Sequence, residues 1–157
     1  MFAIAAYCVS KKTLWLARDR FGEKPLYYNY DTDYGFSFAS ELRAFSYFPN
    51  FKKEICQNAL SQYLRYGYVP EPLSIFKKTY KLEPGYIIKF DKKNQILKKD
   101  YWDSIKSFVN AKKNKFKGTF EEAKEQVKRH IDYSIKNRLV SDVPLGILLS
   151  GGIDSSN

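Results

Sequence analysis

The run Gly146-Ile-Leu-Leu149 passes straight into Ser150-Gly-Gly-Ile-Asp154-Ser155-Ser156, and one residue follows. An apolar run without polar alternation predicts a strand buried on both faces. Two adjacent glycines and three serine hydroxyls then break it. Strand, glycine turn and the start of a helix aim bared backbone N–H groups at one point, at the positive end of a helix dipole. The plain alternative is an ordinary serine–glycine turn. The apolar run before the loop, and an amphipathic helix before that, favour a phosphate cradle. The rest of the chain is read as the scaffold leading to it.

At 157 residues the chain has room for one domain or parts of two. Its hydrophobic fraction of 44% supports a real core and argues against disorder. A net charge of +10 raises nucleic acid as a partner. The lysines, however, come in pairs at turns: Lys11-Lys12, Lys52-Lys53, Lys77-Lys78, Lys92-Lys93, Lys98-Lys99 and Lys112-Lys113. No aromatic–basic interleaving accompanies them, so a solvated surface is expected and no nucleic-acid partner. Cys8 and Cys56 form no disulfide framework and fit a reducing compartment; both are expected to be buried thiols. No apolar run nears the ~20 residues of a membrane span, and no signal-peptide pattern is present. A cytoplasmic location with no membrane partner is expected.

Residues 2–9 are apolar at both parities, which predicts a strand covered on both faces. So buried an opening strand makes Met1 read as a cut edge, since termini usually lie at the surface. Strands are expected at 13–17, 26–30 and 36–39. The charged corner Arg18-Asp19-Arg20-Phe21-Gly22-Glu23-Lys24-Pro25 and a turn at 31–35 separate them, and antiparallel pairing follows from such short connections. A short helix is expected at 40–45 and a second at 58–66, with Leu60, Tyr63 and Leu64 on one face and Gly67 as its stop. Residues 68–86 read as an ordered loop ending in the turn Leu82-Glu83-Pro84-Gly85. A hairpin follows, 86–90 with 96–101, turning at Asn94. Residues 104–118 are polar and read as a linker. Thr119-Phe-Glu-Glu122 is a capping box opening a helix that runs to about Leu139, with Phe120, Ala123, Val127, Ile131, Ile135 and Leu139 on one stripe.

The terminal loop lacks the lysine of a Walker A motif and the spacing of a dinucleotide fingerprint. It resembles the PP-loop of ATP pyrophosphatases, and the residue types suit that chemistry. Glycines let backbone approach dense phosphate charge, hydroxyls add donors, and Asp154 suits Mg²⁺. The longer stretch from Arg138 to Ser156 resembles the opening of the synthetase domain in glutamine-hydrolysing asparagine synthetases. Three earlier stretches match that family in order: Arg18 to Tyr28 with Phe38-Ala-Ser-Glu41, Tyr68 to Phe76, and Lys81 to Gly85.

The resemblance implies an α+β fold leading into α/β. Residues 1–103 would hold the C-terminal part of an N-terminal-nucleophile amidotransferase domain, as a partial layered antiparallel sheet, plus a helical and hairpin connector. Residues 104–118 would link it to 119–157, the first helix, strand and PP-loop of an ATP pyrophosphatase domain. It further implies aspartate, ATP and glutamine-derived ammonia as reactants, with asparagine, AMP and pyrophosphate as products via a β-aspartyl-adenylate. ATP and Mg²⁺ would be the cofactors, and the full-length enzyme would be open to forming a homodimer. Ser150, Gly151, Gly152, Asp154, Ser155 and Ser156 would bind pyrophosphate, Asp154 the metal, and Leu148 would pack near the adenine.

Departures accompany the resemblance. The family's catalytic cysteine follows the initiator methionine, whereas Phe2 stands here, so no catalytic residue is assigned and the chain alone is expected to be inactive. Cys8 is no substitute, because it lies inside a strand. Related enzymes apply the same ATP chemistry to other carboxylic acids, which leaves a different acceptor as the alternative; a basic RNA-binding module ranks below both. His130 has no ligand-spaced neighbour and reads as an ordinary helix residue. Arg18, Asp19 and Glu41 either line a path between two sites or, as favoured here, fix the strand corner through ion pairs and turn hydrogen bonds.

Overall fold

A computed structural model describes residues 1–31, 35–91, 93 and 95–156. The chain divides into two compact units, Met1–Asn110 and Ala111–Asn157.

The first unit is built on two antiparallel sheets. One has the order β1-β2-β6-β7 and contains β1 (Ala3–Cys8), β2 (Thr13–Arg18), β6 (Tyr86–Phe90) and β7 (Ile96–Asp100). The other has the order β4-β3-β5 and contains β3 (Tyr27–Asp31), β4 (Gly35–Ala39) and β5 (Thr79–Lys81). Alternation sets the inward face: Leu14 and Leu16 of β2 stand opposite Phe90 and Ile88 of β6. Leu16, Leu26, Tyr28, Leu82 and Ile88 form the core between the sheets. Phe36 of β4 stacks on Phe90 of β6 with ring centroids 4.7 Å apart. Burial pushes the Tyr28 phenol up to about 12, so its hydroxyl stays protonated at neutral pH.

Between β4 and β5 in sequence run a 3₁₀ helix, Leu42–Tyr47, and α1, Gln57–Tyr66. Gly67 stops α1 in the left-handed region at φ +76°, its N–H donating to the Tyr63 carbonyl. Of the expected face, Tyr63 and Leu64 are exposed; Ala59 is the buried residue of the helix. The expected turns at 31–35 and at Asn94 fall at least in part on Thr32–Tyr34 and on Asn94, which lie outside the described residues.

Three expectations for this unit are corrected. The opening strand is not covered on both faces. Among the described residues β1 is an edge strand paired only to β2, and Ile4 and Tyr7 are exposed. Residues 68–86 are not all loop, because β5 pairs with β3 through the register Tyr27–Lys81, Tyr28–Tyr80 and Asn29–Thr79. Within the expected linker, α2, Ser104–Lys113, occupies most of the stretch, and the Asp103 carboxylate accepts from the Lys106 N–H at its start. Neither thiol is buried. Cys8 and Cys56 are both half-buried, Cys8 because it closes the edge strand.

The second unit is dominated by α3, Phe120–Lys136. Its capping box is complete: the Glu122 N–H donates to Thr119 Oγ1, and the Thr119 N–H donates to the Glu122 carboxylate at 2.7 Å. The helix ends at Lys136, short of Leu139, with Asn137 as its cap. Its apolar stripe is formed, but Phe120, Val127, Ile131 and Ile135 are exposed. Gly146–Leu149 is a second correction in kind. The run is irregular rather than a strand, and Leu148 is 97% exposed. A strand needs a hydrogen-bonded neighbour, and no described strand lies in this unit to provide one. α4, Ile153–Ser156, closes the described chain.

Candidate functional site

Two constellations hold the residues singled out in the sequence. The first is the corner between β2 and β3. Arg18 is buried, yet its guanidinium is well supplied with acceptors. Nε donates to the Lys24 carbonyl at 2.9 Å, one terminal nitrogen to the Gly22 carbonyl at 2.8 Å, and the other to the Leu82 carbonyl at 2.6 Å. That last nitrogen also lies 3.4 Å from Glu71 Oε1. Planar guanidinium geometry makes four such contacts at once, which a lysine cannot do. Gly22 sits at φ +66°, and a Cβ there would stand 2.8 Å from the guanidinium. Glycine is therefore required for this close approach.

Asp19 completes the corner from the other side. Its carboxylate accepts the backbone N–H groups of Phe2, Phe21, Glu23 and Lys24 at 3.0–3.2 Å. Burial pushes this carboxyl up, and the four N–H donors more than offset that, holding it down at about 2. The Asp19 carbonyl accepts the Gly85 N–H, the Gly85 carbonyl accepts from Tyr101 and Trp102, and the Tyr101 hydroxyl returns to the Arg18 carbonyl at 2.8 Å. Arg18 and Asp19 thus act together as a structural knot. Glu41 is not part of it; it precedes the 3₁₀ helix, exposed, and makes no side-chain cap.

The second constellation is the terminal loop. Gly151 has φ +76°, a turn that only glycine makes without strain. Ser150 Oγ and Ser155 Oγ are 2.9 Å apart, the Gly152 N–H points at Ser150 Oγ, and Ser155 Oγ donates to the Gly152 carbonyl. A Cβ on Gly152 would stand 3.4 Å from Ser150 Oγ and 4.0 Å from Ser155 Oγ, ordinary contact distances. The donor types, two hydroxyls and a glycine N–H brought together in one short loop, suit a phosphate-bearing group. The side chains of Asp154 and Ser156 lie outside the described residues.

Other candidates stand apart. Cys8 Sγ is 3.5 Å from Ser10 Oγ, and hydrogen bonding from Ser10 and then Lys11 holds the thiol below its usual range. His130 is exposed on α3. Among the described residues, no cluster of three metal-ligating side chains occurs, and no helix is long and apolar enough to cross a membrane.

Residues 1–102 match the family described as glutamine amidotransferase domain, and the antiparallel sheets with few helices fit it. Residues 126–157 match the asparagine synthase family, and the two matches in this order place the chain in the glutamine-hydrolysing asparagine synthetase family. It is 35% identical to the putative asparagine synthetase [glutamine-hydrolyzing] 2 of Methanocaldococcus jannaschii, over 99% of this chain and 29% of that protein. Against the asparagine synthetase [glutamine-hydrolyzing] 1 of Bacillus subtilis the identity is also 35%, over 99% of this chain and 23% of the relative. A third relative, the amidase chyE of Penicillium rubens, is 30% identical over 99% of this chain and 22% of its own length. The chain therefore spans roughly a quarter of the length of the curated relatives it matches.

Sequence reading missed the partners of the corner, Glu71, Leu82, Gly85 and Tyr101. The signal open to it was the charge imbalance of Arg18-Asp19-Arg20 within an otherwise apolar region, which demands distant acceptors once buried.

Proposed function

We propose that the chain is part of an ATP-dependent amidoligase that converts aspartate and glutamine-derived ammonia to asparagine, with release of AMP and pyrophosphate. In this reading residues 1–103 carry the amidotransferase part and connector, 104–118 join the two parts, and 119–157 begin the synthetase part. The observation that carries it is the terminal loop: a left-handed Gly151, an adjacent Gly152 and two serine hydroxyls brought within 2.9 Å of each other. When bound, ATP supplies an activated phosphoryl centre for the aspartate side-chain carboxylate.

The residues of this chain have separate tasks. Ser150 and Ser155 present hydroxyls, and Gly151 and Gly152 present backbone N–H groups, to the two phosphates that depart. Charge builds there as the α–β bond breaks, and fixed donors in place beforehand stabilise it. Asp154 would hold the Mg²⁺, Ser156 would add a further hydroxyl, and Leu148 would pack near the adenine. The knot at Arg18 and Asp19 holds the amidotransferase sheet in shape and touches no reactant. The reading includes a cytoplasmic setting, supported by two half-buried free thiols.

The test is pyrophosphate exchange into ATP by the full-length protein. Exchange should depend on aspartate and fall by at least about 100-fold in Gly152→Val, the usual scale for losing preorganised donors. Exchange driven equally by unrelated carboxylic acids would reject aspartate. That second reading, another carboxylic acid as acceptor, is favoured by one observation, the similarity to a protein named as an amidase.

A further inference from the structure

A cavity of about 370 Å³ lies within the first unit, between the strand ends around Asp31 and Gly35 and the segment Phe48–Glu54. Its walls are tied in place by backbone hydrogen bonds. The Lys77 N–H donates to the Glu54 carbonyl at 2.8 Å, the Cys56 N–H to the Ile75 carbonyl at 2.9 Å, and the Tyr30 N–H to the Lys78 carbonyl at 3.3 Å. Phe51 is fixed against Phe45 and Phe76, with ring centroids 5.6 and 5.5 Å away. A site with walls fixed in advance loses little entropy when a ligand enters.

Among the described residues, two of the three non-glycine residues with left-handed backbone, Asn50 at φ +67° and Lys78 at φ +57°, line this cavity. A lysine in that region is uncommon, and such residues gather where a site shapes the backbone. The lining chemistry defines what would enter. Phe36, Phe48 and Phe51 give an apolar aromatic wall. Two acid–base pairs stand at the rim, Lys77 with Glu54 at 3.2 Å and Lys78 with Asp31 at 2.6 Å. A third cation, Lys52, lines the cavity and has no acidic partner among the described residues. Among the described lining residues, three lysines stand against two carboxylates, leaving one positive charge over.

We propose that this cavity binds a small carboxylate carrying an aromatic ring. The volume lies at the lower end of the roughly 300–1,000 Å³ typical of small-molecule sites, which suits one ring and a short acidic arm. The ring lies against the phenylalanines, and the carboxylate pairs with Lys52. A monoanion balances the single excess charge. A phosphate dianion would overshoot it, and an amine would add to it.

The experiment follows backbone amides of the 157-residue chain by ¹H–¹⁵N NMR during titration with phenylacetate, 2-phenylethanol or 2-phenylethylamine. Saturable shifts are expected at Gly35, Phe36, Asn50, Phe51 and Lys52, with phenylacetate at least about fivefold tighter than the neutral alcohol and the amine weakest. Lys52→Glu alters an exposed side chain outside the core and should remove that preference while the free spectrum stays the same. Phe48→Ala should weaken all three probes alike. Equal affinity for the alcohol, tightest binding of the amine, shifts away from these residues or none at all, or an unchanged preference in Lys52→Glu would each overturn the assignment.

Discussion

The corner at Arg18–Asp19 and the loop at Ser150–Ser156 are both turns rich in polar groups, yet they are held by opposite means. The corner draws its partners from four distant parts of the chain, Phe2, Glu71, Leu82 and Tyr101, and excludes water. The loop is shaped by bonds that reach no further than five residues, and it stands open. A turn fixed from many sides serves as a foundation; a turn fixed only by short internal bonds can exchange them for those of a ligand. A site for a polyanion needs the second kind.

Perturbations should therefore divide sharply between the two. The largest expected effect is at Arg18. Arg18→Met would leave the buried Leu82 carbonyl and the part-buried carbonyls of Gly22 and Lys24 without their donor, at a cost of about 4 kcal/mol in urea unfolding followed by tryptophan fluorescence. A loss below about 1 kcal/mol would show that water replaces the guanidinium, and the corner would then be no more fixed than the loop. Next comes Gly85→Ala. Its backbone is left-handed at φ +73°, and a Cβ there would stand 2.3 Å from the Trp102 carbonyl oxygen, so about 3 kcal/mol should be lost in the same assay.

Asp19→Asn should cost about 2 kcal/mol at pH 7, because its amide NH₂ faces N–H donors whichever way it is turned. The pH dependence sharpens the point. The Asp19 carboxyl is lowered from 3.8 to about 2 on folding, so its stabilisation is complete above about pH 4 and is lost as pH falls through 2. Between pH 4 and 2 the wild-type chain should therefore lose stability faster than Asp19→Asn; parallel curves would remove the carboxylate from the corner. The smallest effect belongs to the loop: Ser150→Ala should shift the unfolding midpoint by less than about 0.5 kcal/mol, the usual limit for exposed positions. A loss as large as that of Asp19→Asn would abolish the distinction.

The same division governs what could be read in the sequence. Features written in consecutive residues were legible: the Thr119–Glu122 box, Gly67 as a helix stop, the strand Tyr86–Phe90 after its proline–glycine turn, and the apolar alternation of β2. Features that depend on remote neighbours were not. β5 is three residues long and has no periodicity of its own; its existence rests on Tyr28 and Asn29 lying alongside. The pairing of β2 with β6 joins residues about seventy apart, and nothing local announces it. The apolar runs at 2–9 and 146–149 correctly signalled a need for cover, but need is not provision. An edge strand and an irregular segment are what those runs form with the neighbours this chain supplies. At the loop, residue types pointed to the hydroxyl pair and the two glycines, while their mutual distances required coordinates.

The hydrogen bond from Tyr101 to Arg18 has a consequence for how the chain acquires its shape during synthesis. It closes a separation of 83 residues. At roughly 5–20 residues per second, the arginine leaves the ribosome some 4–17 s before the tyrosine does. Arg18 waits for Leu82, 64 residues on, and then for Tyr101, and the β2 strand stands without β6 until residues 86–90 have been made. The corner is thus an early word whose meaning depends on the end of the sentence, and translation speed across residues 18–101 sets how long the nascent sheet stays exposed to chaperones and to mispairing.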